Sequence, residues 1–247
     1  MCGIVGYFGN KNAVPLLLNG LKRLEYRGYD SAGIAIMHED SFALTKTAGK
    51  VKSLESLLKT APMQGNIGIG HTRWATHGEP SDLNAHPHTD QTGKFVLIHN
   101  GIIENYAVLK EWLAQKGVTF QSDTDTEVLV QLISMIYHEE KISFENAVNL
   151  ALKQVVGTYG ILVMCSDEPN QLIAARLGSP LVLGVGEGEY FLASDASPIV
   201  EHTRNVIYLE EGECLIIGDD GYEIKHVDHG EKIEKEISRI DFSIEEI

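Results

Sequence analysis

Seven short apolar segments follow one another in the second half of the chain, and short turns rather than helices join them. They are Tyr159 to Cys165, Gln171 to Arg176, Leu181 to Val185, Tyr190 to Ser194, Val206 to Leu209, Cys214 to Ile217 and Tyr222 to Val227. Parallel neighbours need a crossover of a dozen or more residues, usually a helix, so strands linked this closely pair antiparallel. Gly218-Asp219-Asp220-Gly221 has hairpin-turn chemistry between the last two. The helices must then come from elsewhere and lie outside the sheets, which defines a layered α+β domain.

The first half supplies those helices. Val14 to Leu24 sets Leu17, Leu21 and Leu24 on one face, with Pro15 tolerated in the first turn. Val51 to Leu58 reads as a short helix. Tyr106, Leu109, Trp112 and Leu113 mark another that Gly117 closes. Asp123-Thr124-Asp125-Thr126-Glu127 supplies cap residues for an apolar helix from about Thr126 to His138, and Ser143 caps one carrying Val148, Leu152 and Val155. Between them Cys2 to Phe8, Ile34 to Met37, Phe42 to Lys46, Ile67 to Gly70 and Phe95 to Ile98 read as strands. From Arg73 to Asp90 there is no periodicity; a loop of that length is functional or disordered, and its aromatic and histidine content argues against disorder. The glycines of Gly184-Val185-Gly186-Glu187-Gly188 lie between two strands with no helix after them, which is the wrong context for a dinucleotide loop.

Composition excludes several function classes. At 247 residues the chain is long enough to bury roughly 70–75% of its unfolded surface. Acids outnumber bases 35 to 20, for a formal charge of −15, which disfavours nucleic acid and anionic membranes as partners. No apolar stretch approaches the ~18 residues of a spanning helix, and no basic-then-apolar leader opens the chain, so a cytoplasmic protein is expected. The three cysteines, Cys2, Cys165 and Cys214, have neither paired nor metal-ligand spacing, and the last two fall in buried strands.

Cys2 stands apart because of its position. Removal of Met1 would leave a thiol and a free α-amine on one residue, a nucleophile with its own base. Their reference pKa values differ by less than one unit, so moving the proton between them costs only about 1 kcal/mol. Three further clusters offer to complete a site. Asn100-Gly101 follows a buried strand and supplies an amide and a backbone N–H, either as donors to an oxyanion or as an ordinary Asn-Gly turn. Arg73 and Asp125 would grip the carboxylate and ammonium of an α-amino acid, or are a surface charge and a helix cap. His71, His77, His86, His88 and His99 lie within 29 residues of sequence, at spacings that match no standard zinc ligand set.

Six motifs resemble one family. Cys2-Gly3-Ile4-Val5-Gly6, Leu24 to Gly33, His71 to Pro80, Asn84 to His88, His99 to Asn105 and Ser122 to Glu127 are similar to the glutaminase domain of the glucosamine-6-phosphate synthases, which are class II glutamine amidotransferases. The likeness runs from Cys2 to about residue 230. It implies the N-terminal nucleophile hydrolase fold, four layers (αββα) with two stacked antiparallel sheets, and a glutaminase domain over 2–230 followed at 231–247 by the start of a linker to sugar isomerase domains. It also implies that Cys2 is the nucleophile and that Asn100 and Gly101 form the oxyanion hole. Arg73 and Asp125 would hold the glutamine head group, with Thr76 and His77 lining the pocket. Arg27 would position the N-terminal residue, Trp74 would belong to a loop closing over L-glutamine, and His86 would lie near the site without an assigned role. No cofactor and no metal is implied. The expected partners are L-glutamine and the sugar isomerase domains of the longer protein, which these residues lack. Two alternatives stay open: another amidotransferase of the class, such as phosphoribosylpyrophosphate amidotransferase or asparagine synthetase, and a non-catalytic amino-acid-binding module.

Overall fold

The computed structural model describes residues 2–74 and 79–240. Fifteen strands fall into two sheets, and every strand pair among the described residues is antiparallel. The first sheet holds β1 (Gly3–Phe8), β2 (Ser31–His38), β3 (Ser41–Ala48), β4 (Ile67–Arg73), β9 (Val182–Val185), β10 (Tyr190–Ala193), β11 (Asn205–Tyr208) and β15 (Ser238–Arg239), in the order β15-β11-β9-β10-β1-β4-β2-β3. The second holds β5 (His88–Thr89), β6 (Phe95–Ile103), β7 (Gly157–Cys165), β8 (Leu172–Leu177), β12 (Glu213–Gly218), β13 (Gly221–His226) and β14 (Lys232–Ile233), in the order β14-β13-β12-β8-β7-β6-β5. The helices are α1 (Ala13–Leu24), α2 (Val51–Thr60), α3 (Tyr106–Gln115), α4 (Asp125–Glu140) and α5 (Phe144–Leu152).

Strand alternation sorts the apolar residues into three layers. Along β1, Ile4 and Phe8 point between the sheets, where they meet Ile98, Leu162 and Met164 of the second sheet. Val5 and Tyr7 point the other way, onto Leu17 and Leu21 of α1 and Leu54 of α2. On the second sheet Phe95, Leu97, Ile161 and Val163 face outward onto α3, α4 and α5. The molecule is thus helix, sheet, sheet, helix, the four-layer order expected from the family resemblance. Both sheets are covered on both faces, which is why β1 and much of β6 and β7 read as continuous apolar runs rather than alternating ones.

Several elements extend beyond their apolar bodies. β4 continues through His71 and Thr72 to Arg73, pairing with Ser31–Gly33 of β2 and with Gly3 and Ile4 of β1. β6 runs past Ile98 to Ile103, so Asn100-Gly101 is strand and not a turn. The turn alternative fails because Gly101 adopts φ +132°, keeping the ladder to Tyr159 intact where a side chain would strike Thr158 O at 2.1 Å. Within the segment read as linker, β14 and β15 add to the edges of the two sheets, and Ile240 is buried beside α1. Ser143 caps α5 through its side-chain oxygen, as its sequence position suggested, and within the stretch of candidate caps before α4 it is Thr124 that accepts from Glu127 N–H.

Candidate active site

Alternation also decides which polar residues meet. Ile4 faces the inter-sheet layer, so Cys2, two residues earlier, opens onto the same face; Ile69 does likewise, and with it His71 and Arg73. On β6 the inward set is Val96, Ile98 and then Asn100. Where the apolar layer ends, Cys2, His71, Arg73 and Asn100 therefore converge. A cavity of about 250 Å³ opens there, lined among others by Cys2, Arg73, Asn100, Gly101, Asp125 and Ser194.

The sulfur is held by Trp74. Its N–H donates to Cys2 Sγ at 3.2 Å, and the thiol lies 3.5 Å from Trp74 O. Burial raises the thiol pKa, while the Trp74 N–H and the charge on Arg73 work against that rise by favouring thiolate. The Trp74 side chain is largely exposed, 46% of its surface, and packs edge-on against Tyr29 at 5.6 Å. The family resemblance implied that Trp74 belongs to a closing loop; the contact between its backbone and Cys2 Sγ carries no sequence signal.

Asn100 Nδ2 donates to Cys2 O at 3.0 Å, while its Oδ1 lies 2.9 Å from His71 Nε2. Asp125, the first residue of α4, accepts from Ile103 N–H at 2.8 Å and stands 4.0 Å from His99 Nδ1. Arg73 is 4% exposed; burial lowers its pKa while Cys2, Asp30 and Asp125 favour its charge. Arg27 pairs with Asp195 and donates from Nε to Tyr26 Oη at 2.9 Å. Asp195, fixed in turn by Ser197 N–H, was not foreseen. Nor were Thr158, Ser179, Pro180 and Ser194, which line the cavity from separate segments of the chain. Ser194 Oγ accepts from Ile4 N–H at 3.1 Å and ties β10 to the start of β1. Thr76 and His77 lie outside the described residues.

The described histidines pack ring against ring instead of converging on one point. His71 and His86 rings lie 4.1 Å apart and His86 and His88 4.9 Å apart. His99 Nε2 donates to Thr158 O at 3.2 Å, which leaves Nδ1 to accept from Thr126 Oγ1 at 3.2 Å. His88 Nε2 bonds Thr124 Oγ1 at 3.1 Å. Burial holds all four neutral: His71 is pushed down to about 3, His86 and His88 well below 6.5, and His99 down despite Asp125. Among the described residues no group of three or more His, Cys, Asp or Glu is placed to hold a metal ion. The loop carrying His86 is tethered by Lys46, whose Nζ donates to Leu83 O, Ala85 O and Pro87 O at 3.2, 2.7 and 3.1 Å.

Two stacked antiparallel sheets between helices, with a cysteine at the head of a central strand opening into a cavity, define the N-terminal nucleophile amidotransferase fold. Bacillus subtilis glutamine phosphoribosylpyrophosphate amidotransferase, solved with ADP and GMP, superposes with a TM-score of 0.80 at 28% identity, covering 92% of this chain and 50% of that one. Residues 59–215 match the family model described as a glutamine amidotransferase domain, and the chain belongs to that family. It is 53% identical to the glutamine–fructose-6-phosphate aminotransferase (isomerizing) of Chlorobaculum tepidum over 251 aligned positions, 100% of this chain and 41% of the relative. It is 56% identical to the same enzyme of Bacteroides thetaiotaomicron, over 92% of this chain and 37% of the relative. The chain thus spans about two fifths of the length of these relatives. Among the described residues no helix is long and apolar enough to cross a membrane.

Proposed function

We propose that this chain hydrolyses the side-chain amide of L-glutamine to glutamate and ammonia, with Cys2 as nucleophile. One observation carries the proposal: Cys2, Asn100 with Gly101, Arg73 and Asp125 come from four elements and line a single cavity. Arg73 takes the substrate α-carboxylate and Asp125 its α-ammonium, placing the side-chain amide toward the sulfur. Thr76 and His77 join this pocket on the strength of the family resemblance alone. With Met1 removed, the Cys2 amine accepts the thiol proton, and the thiolate attacks the amide carbon. The carbonyl electrons move onto oxygen, where the second Asn100 amide hydrogen and the Gly101 N–H receive them. Collapse expels ammonia as the Cys2 ammonium returns its proton to nitrogen. Water then cleaves the thioester, releasing glutamate and restoring the thiol. The Arg27–Asp195 pair holds the approach to the N-terminal residue, and Trp74 belongs to a segment that closes over glutamine.

The stronger likeness to glutamine–fructose-6-phosphate aminotransferases, against 28% identity to the phosphoribosylpyrophosphate enzyme, favours fructose 6-phosphate as the final ammonia acceptor. Sugar isomerase domains of the longer protein, residues 231–247 leading toward them, would bind that acceptor, in a cytoplasmic setting consistent with the acidic charge. Glutamate release is the direct test. Cys2→Ala should bring turnover to background while circular dichroism and glutamine binding persist, and turnover near wild type in that variant would remove Cys2 from the chemistry. A non-catalytic binding module would show no turnover even before substitution. In the full-length protein, amide-labelled [15N]glutamine should deliver its label to glucosamine 6-phosphate.

A further inference from the structure

His71 has no part in the chemistry just described, yet it is fully buried and its ring nitrogen faces two acceptors. Nε2 lies 2.9 Å from Asn100 Oδ1 and 3.1 Å from His99 O. The orientation of the Asn100 amide follows from its other contact. Cys2 O is a carbonyl and can only accept, so the group 3.0 Å from it is Nδ2 and the oxygen faces His71. Both neighbours of His71 Nε2 are then oxygens without hydrogens, and Nε2 must carry the proton. Nδ1 is left with a lone pair and has no hydrogen-bond partner among the described residues, an arrangement less costly than burying an unmet N–H. The neutral ring agrees with this tautomer, burial having driven the pKa down to about 3.

The surrounding histidines brace the residues around this contact. His86 Nδ1 accepts from His99 N–H at 3.4 Å, and its ring packs against His71 with centroids 4.1 Å apart. The His99 ring anchors Thr158 O, the atom against which Gly101 packs. An Asn side chain rotates freely about its terminal bond unless something fixes it. Turned by 180°, it would present oxygen to an oxyanion and repel it.

We propose that His71 is the positioning residue for the oxyanion donors: its Nε2–H locks the Asn100 side chain so that Nδ2 faces the reacting carbonyl. The proposal rests on glutamine hydrolysis by Cys2, so wild-type turnover is the first control; without turnover the hydrolysis itself fails, whatever His71 does. A His71→Gln side chain keeps a donor near the Nε2 position, whereas His71→Asn is too short to reach Asn100. Steady-state glutamate release should show kcat falling about 10- to 100-fold in His71→Asn, less than the roughly 100- to 1000-fold of an oxyanion donor removed outright because Asn100 itself remains, with KM changed less than about threefold. His71→Gln should recover kcat to within about fivefold of wild type. In an Asn100→Ala background, His71→Asn should cost less than about twofold more, because its effect passes through Asn100. Cys2 alkylation by iodoacetamide should proceed at the wild-type rate in all folded variants. A kcat loss of equal size with and without Asn100, or wild-type kcat in His71→Asn, would overturn the assignment. Imidazole 15N spectra of the wild-type chain provide a test that needs no variant: the His71 signal should report a neutral, Nε2-protonated ring from pH 6 to 8. The opposite tautomer or an imidazolium would also overturn it.

Discussion

The four buried histidines predict an acid-sensitive fold. His71, His86 and His88 are held neutral in the folded state, whereas in the unfolded chain each titrates near its ordinary value of 6.5. Their folded pKa values are depressed, so the stability they leave intact is fully present above pH 6.5. It is lost as pH falls, because the unfolded state gains protons that the folded state refuses. At pH 5.5, one unit below the unfolded value, each ring that stays neutral costs roughly 1 kcal/mol relative to neutral pH, a few kcal/mol for the three together. His99 adds to the same trend. A loss of that size is a large part of the roughly 5–15 kcal/mol that holds a domain folded. An opposing effect exists: the chain carries a formal charge of −15 with a pI near 5.0, so acidification relieves surface repulsion and should stabilise it. Salt separates the two, since roughly 0.5 M NaCl screens exposed charges over a few ångströms but leaves the cost of protonating a buried ring. Urea unfolding at pH 7.5 and 5.5 in that salt should show the midpoint falling by the predicted loss divided by m. His71→Gln should remove about a third of the difference. Flat or rising stability between those pH values would show that the rings accept protons without unfolding, and the burial argument would be wrong.

The other expectations concern single residues. Arg73→Ala should raise KM for glutamine by about 100-fold or more through loss of a charge-assisted pair, and Arg73→Lys should recover only part of it for want of the planar fork; unchanged KM would place Arg73 outside substrate contact. Gly101→Ala forces a side chain into φ +132° with its Cβ 2.1 Å from Thr158 O, so it should destabilise by about 1–3 kcal/mol and lower kcat; wild-type values for both, by denaturation and glutamate release, would contradict the geometry. Lys46→Met strips three carbonyls of the 83–87 loop of their shared donor and should cost about 3 kcal/mol, read as a lower thermal midpoint; an unchanged midpoint would mean that water replaces the ammonium.

The residues that sequence alone singled out largely meet in space, and those it missed share a physical cause. Apolar periodicity marks the body of a strand but stops at its polar end. Ile67 to Gly70 reads as strand from its residues, yet the ladder continues through His71 to Arg73. Phe95 to Ile98 likewise continues through Asn100 and Gly101, whose dipeptide suggests a turn in isolation. The cavity is built from such strand ends, where propensity says least and backbone pairing decides most. Two-residue strands such as His88–Thr89, Lys232–Ile233 and Ser238–Arg239 are too short to show a period at all. The histidine run looked like a question of metal ligands because spacing along the chain does not reveal that successive rings pack against one another, tilted at His71–His86 and edge-on at His86–His88.

Cys2 leads into β1 of one sheet and Asn100 lies on β6 of the other, so apart from the Asn100–Cys2 hydrogen bond the gap between them is spanned by packing rather than by any continuous stretch of backbone. Gly6 marks how tight that gap is: a single methyl there would come within 2.6 Å of Leu162 Cδ1 on the facing sheet. The apolar layer therefore acts as a spacer of fixed gauge, and bulk added or removed along Ile4, Ile98 or Leu162 shifts Cys2 and Asn100 apart or together without touching a polar atom. On the proposed mechanism, drift in the hydrophobic interior is drift in catalytic alignment, and a core that tolerates repacking for folding would not tolerate it equally for turnover.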